Sequence, residues 1–454
     1  MSVFRTHASR KNRRQSQLLC LLGVTLLLAS SGPLMSQSSP AKKSAFPATQ
    51  VNAELPEWLR FSGEYRIRPE NHTAYKFTSG VDDAFVLSRL RLNLAVNPTP
   101  WFNAFVQAQD SHALGIESNH VTTSINDTFD LRQAYLQLSP RSWIRVRAGR
   151  QEFRFGSERL IGASDWTNAP RVFDAIRFTA GTEKAHVDIF TSSVVVNDPI
   201  HFDNHQGGLT FHGIYGSVQN LVAKATIEPY LLWKALPVVK SEEGISGDSS
   251  VFTYGYRWVG KLPRGFDYGM EVARQSGSYS NDDVSTWAGY AVVGCVLPGV
   301  PLTPRLSAQY DYSSGDRLAK DGKVGTFDQL YPSNHGAFGL VDLLGWRNIR
   351  QWRAGFDMKP FARTSVNVDY RELSLASRFD ALYGSTGSTI VKAPQGGALS
   401  THVGREADTF LKHQLRPNVI IGAGYGHLFA GEFLKQNSPG SSSSIAYGFA
   451  TYSF

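Results

Sequence analysis

Residues 86–97 read VLSRLRLNLAVN and alternate apolar with polar side chains. The two alternating sets are Leu90, Leu92, Leu94 and Val96 on one side, and Arg89, Arg91, Asn93 and Asn97 on the other. A period of two is the period of a β-strand, whose successive side chains point to opposite faces. The segment therefore predicts a strand with one apolar face and one polar, charged face.

The same alternation recurs along most of the chain after residue 57. Wherever it persists we predict a strand, which gives about 18 strands, with about 16 as the alternative count. The predicted strands are 58–68, 84–97, 101–111, 130–139, 142–151, 172–180, 183–192, 208–217, 221–235, 250–260, 266–276, 285–296, 303–313, 348–359, 362–373, 406–415, 417–429 and 443–454. Their lengths suit tilted strands that cross a bilayer, which takes about 9–11 residues. The pattern favours an all-β fold, a transmembrane antiparallel β-barrel.

The connections between these strands alternate in length. The long ones are 69–83, 112–129, 152–171, 314–347 and 374–405, and the short ones are 98–100, 140–141, 181–182, 360–361 and 416–417. Short periplasmic turns and long extracellular loops are typical of outer-membrane barrels. A soluble sandwich or propeller does not need this alternation, and a propeller would also show an internal repeat. The last strand ends in Phe454, a C-terminal aromatic residue that we expect the barrel-assembly machinery to recognise.

The N-terminal segment has the composition of a secretory signal peptide. Five basic residues precede an apolar run from Leu18 to Ala29: Arg5, Arg10, Lys11, Arg13 and Arg14. That run is too short for a membrane-spanning helix, which needs about 20 residues. We therefore expect a signal peptide at 1–36, a polar linker at 37–57 and an outer-membrane barrel at 58–454. Without the five leader charges the formal charge of +8 falls to about +3, which does not indicate a nucleic-acid binder.

The polar face of the strands is expected to line the lumen, because a Lys or Arg facing lipid at the bilayer midplane costs about 2–4 kcal/mol. The basic luminal positions are Arg66, Arg89, Arg91, Arg145, Arg147, Arg177, Lys224, Arg257, Arg305, Arg353 and Arg371, and the acidic ones are Glu64, Asp188, Glu228, Asp267, Glu271, Asp311, Asp357 and Asp369. Guanidinium groups can hold carboxylates through two parallel hydrogen bonds. The excess of arginine predicts a lumen that favours anions. The alternative is that the acidic and basic side chains only neutralise one another.

Three stretches of the sequence carry a family resemblance: 149–178 (GRQEFRFGSERLIGASDWTNAPRVFDAIRF), 310–316 (YDYSSGD) and 325–348 (GTFDQLYPSNHGAFGLVDLLGWRN). They resemble the bacterial alginate export family of outer-membrane proteins. The resemblance implies an 18-stranded barrel with an arginine-rich channel for an acidic polysaccharide. The matching positions are Arg150, Arg154, Arg159, Asp165, Trp166, Asn168, Arg171, Asp174 and Arg177 in the first stretch, and Asp311, Gly315, Asp316, Phe327, Tyr331, His335 and Asn348 in the others.

The connection 152–171 is polar and long enough to fold inward and narrow a pore. An ordinary external loop that its own ion pairs stabilise is the alternative. Occlusion could also come from 314–347, from 374–405 or from the linker, since no short connection is long enough to plug the barrel. The predicted substrate pathway comprises Arg66, Arg89, Arg91, Arg145, Arg147, Arg150, Arg154, Arg159, Asp165, Asn168, Arg171, Asp174, Arg177, Arg305, Asp311, Asp316, Arg353, Asp369 and Arg371.

The sequence predicts a passive channel that exports an anionic, alginate-like polysaccharide. A solute-uptake porin that favours small anions is the first alternative, and a barrel hydrolase is the second. No nucleophile elbow, zinc-protease helix or phosphate-binding loop motif is present, so we expect no catalytic residue, cofactor or metal. Paired carboxylates for glycoside hydrolysis remain open in any polar barrel. His201 and His205 (HFDNH) could bind a metal, although solvated loop residues are the commoner case.

Overall fold

Antiparallel strands close into a barrel in the computed structural model, which describes residues 47–117, 122–222 and 224–454. The predicted signal peptide and residues 37–46 of the predicted linker lie outside the described residues. The barrel has 18 strands. They are β1 Leu59–Thr73, β2 Asp83–Thr99, β3 Phe102–Leu114, β4 Asp127–Arg141, β5 Ile144–Gln151, β6 Phe173–Gly181, β7 Ala185–Val196, β8 Thr210–Gln219, β9 Thr226–Lys240, β10 Ser246–Lys261, β11 Phe266–Tyr279, β12 Asp282–Val296, β13 Arg305–Ser313, β14 Ile349–Phe361, β15 Thr364–Leu375, β16 His402–Arg416, β17 Val419–Ala430 and β18 Ser443–Ser453.

The first and last strands close the barrel. β1 pairs with β2 on one side and with β18 on the other, where Glu64 lies opposite Ser453. The amide and carbonyl of Phe454 continue this pairing with those of Gly63, at 2.9 and 2.8 Å. A side chain at position 63 would collide with the ring of Phe454, so this contact requires glycine. Closure leaves no unpaired strand edge, which the interior of a bilayer demands.

Each predicted strand has its counterpart in the barrel, so the count of 18 is confirmed. The error lies in the strand ends. β1 and β2 continue pairing to His72 and Asp83, and their connection shrinks from the expected 69–83 to 74–82. Lys224, which we assigned to the lumen, lies exposed in the connection before β9, because that strand begins only at Thr226.

Two helices flank or cap the barrel within the described residues. They are α1, Pro47–Glu54, and α2, Glu432–Asn437. α1 lies within the segment predicted as a polar linker, and its Asn52 amide pairs with the backbone of Phe61 at 2.7 and 2.8 Å. No helix in the described part of the chain is long and apolar enough to span a membrane.

The two ends of the barrel carry different connections. At one end they are 100–101, 142–143, 182–184, 220–225, 262–265, 297–304, 362–363 and 417–418, and at the other 74–82, 115–126, 152–172, 197–209, 241–245, 280–281, 314–348, 376–401 and 431–442. We call these the short-turn end and the long-loop end. The alternation is incomplete, because the strand pairs β9–β10 and β11–β12 are joined by only 241–245 and 280–281.

The barrel is apolar outside and charged inside. Leu136, Ile176 and Trp352 on the outer face are 55%, 55% and 63% exposed, whereas Arg89 and Arg371 are each 1% exposed. Such a distribution is the reverse of a soluble protein, and lipid contact on the outer face explains it. The connections 152–172, 314–348 and 376–401 supply buried Phe153, Trp346 and Leu382 to an apolar core inside the barrel.

Candidate functional site

The connection 152–172, which we call the inner loop, reaches the wall formed by β1 and β2. Its Asp165 carboxylate lies 2.8 Å from the Arg91 guanidinium and 3.2 Å from that of Arg89. Arg89 also binds Glu64 at 2.7 Å. Burial by itself raises the pKa of Asp165, but Arg89 and Arg91 outweigh it and hold that pKa well below its usual range. Asp165 is therefore an anion held by wall arginines.

Backbone carbonyls of the inner loop accept further hydrogen bonds from the same wall. Arg66 donates to the carbonyls of Asp165, Trp166 and Thr167 at 2.9, 3.2 and 3.0 Å. Arg68 donates to the carbonyl of Trp166 at 2.5 Å. A guanidinium offers five donors in a fixed fork, which explains how so few side chains hold a whole turn of the loop.

Asn168 anchors the other half of the inner loop and is fully buried. Its amide nitrogen donates to the carbonyls of Ser88, His112 and Ile125 at 2.8, 3.2 and 3.1 Å. These acceptors belong to β2, to β3 and to the 115–126 connection. The side chain therefore fixes the position of the loop mainly by contacts with backbone, and its Oδ1 atom also accepts from Arg66 at 3.5 Å.

Trp166 joins the inner loop to the connection 314–348. Its ring stacks on the imidazole of His335 with 3.5 Å between centroids and an interplanar angle of 3°. The guanidinium carbon of Arg68 lies 3.7 Å from the centroid of the Trp166 ring, and Tyr447 of β18 contacts its edge. The Nδ1 atom of His335 lies 2.7 Å from the Asp342 carboxylate.

Two cavities meet at Asp165, Trp166 and His335, which we call the barrier. The first cavity, of about 560 Å³, extends toward the short-turn end, because Lys412 and Thr451 near the ends of β16 and β18 contribute to it. The second, of about 440 Å³, is lined by inner-loop residues together with Ser333 and His335. The barrier therefore lies between these two cavities.

Basic side chains outnumber acidic ones in the first cavity. The basic ones are Arg66, Arg68, Arg89, Arg353, Arg371 and Lys412, and the acidic ones are Glu64, Asp165, Asp369 and Asp408. Arg371 contacts both Asp369 and Asp408, and Arg353 lies 3.3 Å from Asp369. Lys412 makes no ion pair with any described residue. The first cavity therefore has an excess of basic over acidic side chains in its lining.

A second group of arginines lies on the wall formed by β4–β7, near the short-turn end. Arg145, Arg147 and Arg177 line a cavity of about 260 Å³ with Gln137 and Thr179. Arg177 pairs with Asp188 of β7 at 2.8 Å. Arg147 donates to Gln137 at 2.7 and 3.1 Å, and Arg145 makes no hydrogen bond or ion pair within the described residues. We call Arg145, Arg147 and Arg177 the open arginines.

Comparison with known protein families identifies the family of this chain. The model of the alginate export family matches residues 57–447. The chain belongs to the alginate export family. It is accordingly an outer-membrane β-barrel, and this family member has no significant match among curated protein sequences.

Solved structures share the barrel of this alginate export family member. OpdO of Pseudomonas aeruginosa is 13% identical with a TM-score of 0.59, and the match covers 89% of this chain and 99% of that one. OccAB2 of Acinetobacter baumannii is 12% identical with a TM-score of 0.58, covering 87% and 98%. OccK8 (OprE) of P. aeruginosa is 12% identical with a TM-score of 0.57, covering 87% and 98%. At these identities the similarity concerns the fold alone.

Three further arginines of the predicted pathway are paired with nearby carboxylates. Arg154 lines the second cavity and pairs with Glu152 and Glu158. Arg159 lies 2.6 Å from Asp311. Arg305 bridges Asp267 and Asp357 at 2.6 and 2.9 Å. These side chains are matched by nearby carboxylates.

Another four predicted pathway residues, which also line neither the first nor the second cavity, have local partners. Arg150 and Asp174 pair at 2.9 Å. They lie opposite each other on β5 and β6, at even-numbered positions, whereas the open arginines occupy odd-numbered positions of the same two strands. Arg171 donates to the carbonyls of Gly162 and Pro332. Asp316 accepts from the backbone of Leu318 and Gly325. The family signature therefore contains loop-building residues as well as cavity-lining ones.

Arg68, His335, Asp408 and Lys412 are cavity residues absent from the predicted pathway. Arg68 has a sequence signal, because it follows Arg66 on the same face of β1. Asp408 and Lys412 likewise alternate along β16. His335 is named above only as a position that matches the family. Its contact with Trp166 spans 169 residues of chain, and no local pattern encodes it.

Proposed function

We propose that this barrel is an anion-favouring channel of the outer membrane and that it exports an acidic polysaccharide. The observation that carries the proposal is the Asp165 carboxylate at the first cavity, which two arginines of β2, Arg89 and Arg91, already hold. A uronic acid carries the same chemical group. The arginine pair that binds Asp165 is therefore suited to bind successive carboxylates of a polyanion.

The barrier represents the closed state in this proposal. For a polymer to pass, Asp165 and Trp166 must leave the β1–β2 wall. A substrate carboxylate that takes the place of Asp165 keeps Arg89 and Arg91 paired, so no buried guanidinium is left without a partner during the exchange. Opening is thereby coupled to the arrival of the anion.

The orientation completes the proposal. The short-turn end faces the periplasm and the long-loop end faces the medium, as in other outer-membrane barrels. An exported anion then meets the open arginines near the periplasmic mouth before it reaches the barrier. Recognition of Phe454 by the barrel-assembly machinery remains a prediction.

Planar bilayers that contain the purified full chain test the function. We expect anion selectivity under a salt gradient and current blockade by oligouronates added at the short-turn side. A neutral dextran of equal length is the control and leaves the current unchanged. Cation selectivity contradicts the channel proposal, whereas anion selectivity without oligouronate blockade favours the uptake of small anions.

A further inference from the structure

A group of three carboxylates lies at the long-loop end, away from both arginine groups. Asp127 and Asp130 belong to β4, and Asp203 belongs to the connection 197–209. One oxygen atom from each lies within 4.8 Å of the other two. The backbone amide of Asp203 also donates to the Asp130 carboxylate at 2.5 Å, which fixes the connection against the strand.

Asp127 is buried without a partner. Its side chain is 4% exposed, and its Oδ1 atom has no hydrogen-bond partner. Among the described residues it also makes no ion pair. The Oδ1 atom of Asp130, a residue that is 2% exposed, likewise accepts no hydrogen bond. A buried carboxylate without a donor is unfavourable, so these oxygen atoms require either a proton or a cation.

Arg150, the neighbouring cationic side chain, is paired with the carboxylate of Asp174. Arg150 lies 3.8 Å from Asp130, but its guanidinium binds both oxygen atoms of Asp174 at 2.9 and 3.2 Å. The two histidines beside Asp203 point elsewhere, because His201 contacts Asp198 and His205 lies 3.8 Å from Asp174. The three carboxylates are therefore not balanced by protein cations.

We propose that Asp127, Asp130 and Asp203 bind a divalent cation of calcium type. All three ligands are carboxylate oxygens, which such hard cations prefer. Calcium binds oxygen at about 2.3–2.6 Å, so two ligands of one ion can be up to about 5 Å apart, which accommodates the observed spacing. Magnesium needs shorter and more regular distances of about 2.1 Å. In the segment HFDNH (201–205), the proposed ligand is therefore Asp203 and not His201 or His205.

The site links the connection 197–209 to the inner loop. The Asn197 amide donates to the carbonyl of Ala169 at 3.2 Å, and the amide of Val195 donates to the carbonyl of Val172 at 3.1 Å. A cation that bridges Asp203 to β4 therefore stiffens the base of the loop that carries Asp165. This role does not depend on which solute the barrel transports.

Calorimetric titration of calcium into the chelator-stripped full chain in detergent tests the site. We expect about one calcium ion per chain, with a dissociation constant of about 1 mM or tighter, as in extracellular calcium modules. D127N and D203N should each weaken binding at least tenfold. D283N, at an exposed aspartate of β12, is the matched control and should bind as the unmodified chain does.

Absence of calcium binding by the unmodified chain overturns the proposal and does not require any variant to fold. Equal binding by D127N and D203N also overturns it, as does a magnesium affinity equal to that for calcium. Thermal unfolding of the unmodified chain with calcium or with chelator gives a second readout. We expect calcium to raise the melting temperature of the unmodified chain and not that of D127N.

Discussion

The β1–β2 wall and the β4–β7 wall both carry arginines, but these differ in their burial and in the acceptors that surround them. On the first wall, Arg66, Arg89 and Arg91 are buried, and the inner loop supplies a carboxylate and several carbonyls to them. On the second, Arg145 is exposed without a partner, and only Arg177 has a carboxylate. In this barrel, a guanidinium is buried where the chain provides hydrogen-bond acceptors for it. Arginines without them remain available to ions in the lumen.

The largest expected effect comes from removing the acceptor on the covered wall. D165N removes the close carboxylate partner of Arg91 and leaves it only the longer contact with Glu64, at 3.9 Å. We expect the closed position of the inner loop to lose about 2–3 kcal/mol, less than for a fully buried pair because Asp165 is partly exposed. Single-channel recording should show a conductance rise of severalfold. D248N, at an exposed aspartate, is the control, and equal conductance of the two variants contradicts the role of Asp165.

A smaller effect on the same barrier is expected from W166A. The substitution removes the stack with His335 and the contact with Arg68, which together contribute about 1–2 kcal/mol. Open events in single-channel recordings should become about tenfold more frequent. W166F keeps an aromatic face and serves as the control, so an equal gain for both variants would contradict a role for the stack.

Neutralising the exposed wall should change selectivity and leave the barrier closed. R145Q together with R147Q removes two luminal charges, and we expect the anion-to-cation permeability ratio to fall by about twofold. Reversal potentials under a salt gradient measure this ratio. R264Q, in an exposed short turn, is the control. A change in open frequency without a change in reversal potential would refute the contrast between the two walls.

The smallest expected effect is the change in conductance when acid is added, because Asp165 stays ionised. Its pKa is depressed, so the stabilisation from its ion pairs is complete above its ordinary pKa of about 4 and disappears only as the pH falls through the depressed value. The conductance difference between the unmodified chain and D165N should therefore persist from pH 7 to about pH 3, where an aspartate of ordinary pKa is mostly protonated. A difference that is lost at about pH 3 would show that the arginines do not hold the pKa down.

Period-two alternation predicted every strand and the faces of Arg66, Arg89 and Arg91, because strand geometry ties side-chain direction to residue parity. The length and polarity of the inner loop left two readings open, an inward path and an external loop that its own ion pairs stabilise. The partners were not predictable. Trp166 finds His335, and Arg159 finds Asp311, through contacts between connections that are distant in sequence. The ends of β1 and β2 were missed because their pairing continues through polar residues at the barrel rim.

The carboxylate of Asp165 is, in effect, a ligand tethered to its own receptor. A tethered group competes at an effective concentration that a short loop sets, commonly in the millimolar range. A single free uronate must exceed that concentration to displace it. A chain of uronates competes differently, because once one unit is bound the next is itself held nearby. If the proposed polysaccharide is the substrate, the inner loop discriminates by polymer length and excludes small acids that carry the same chemical group.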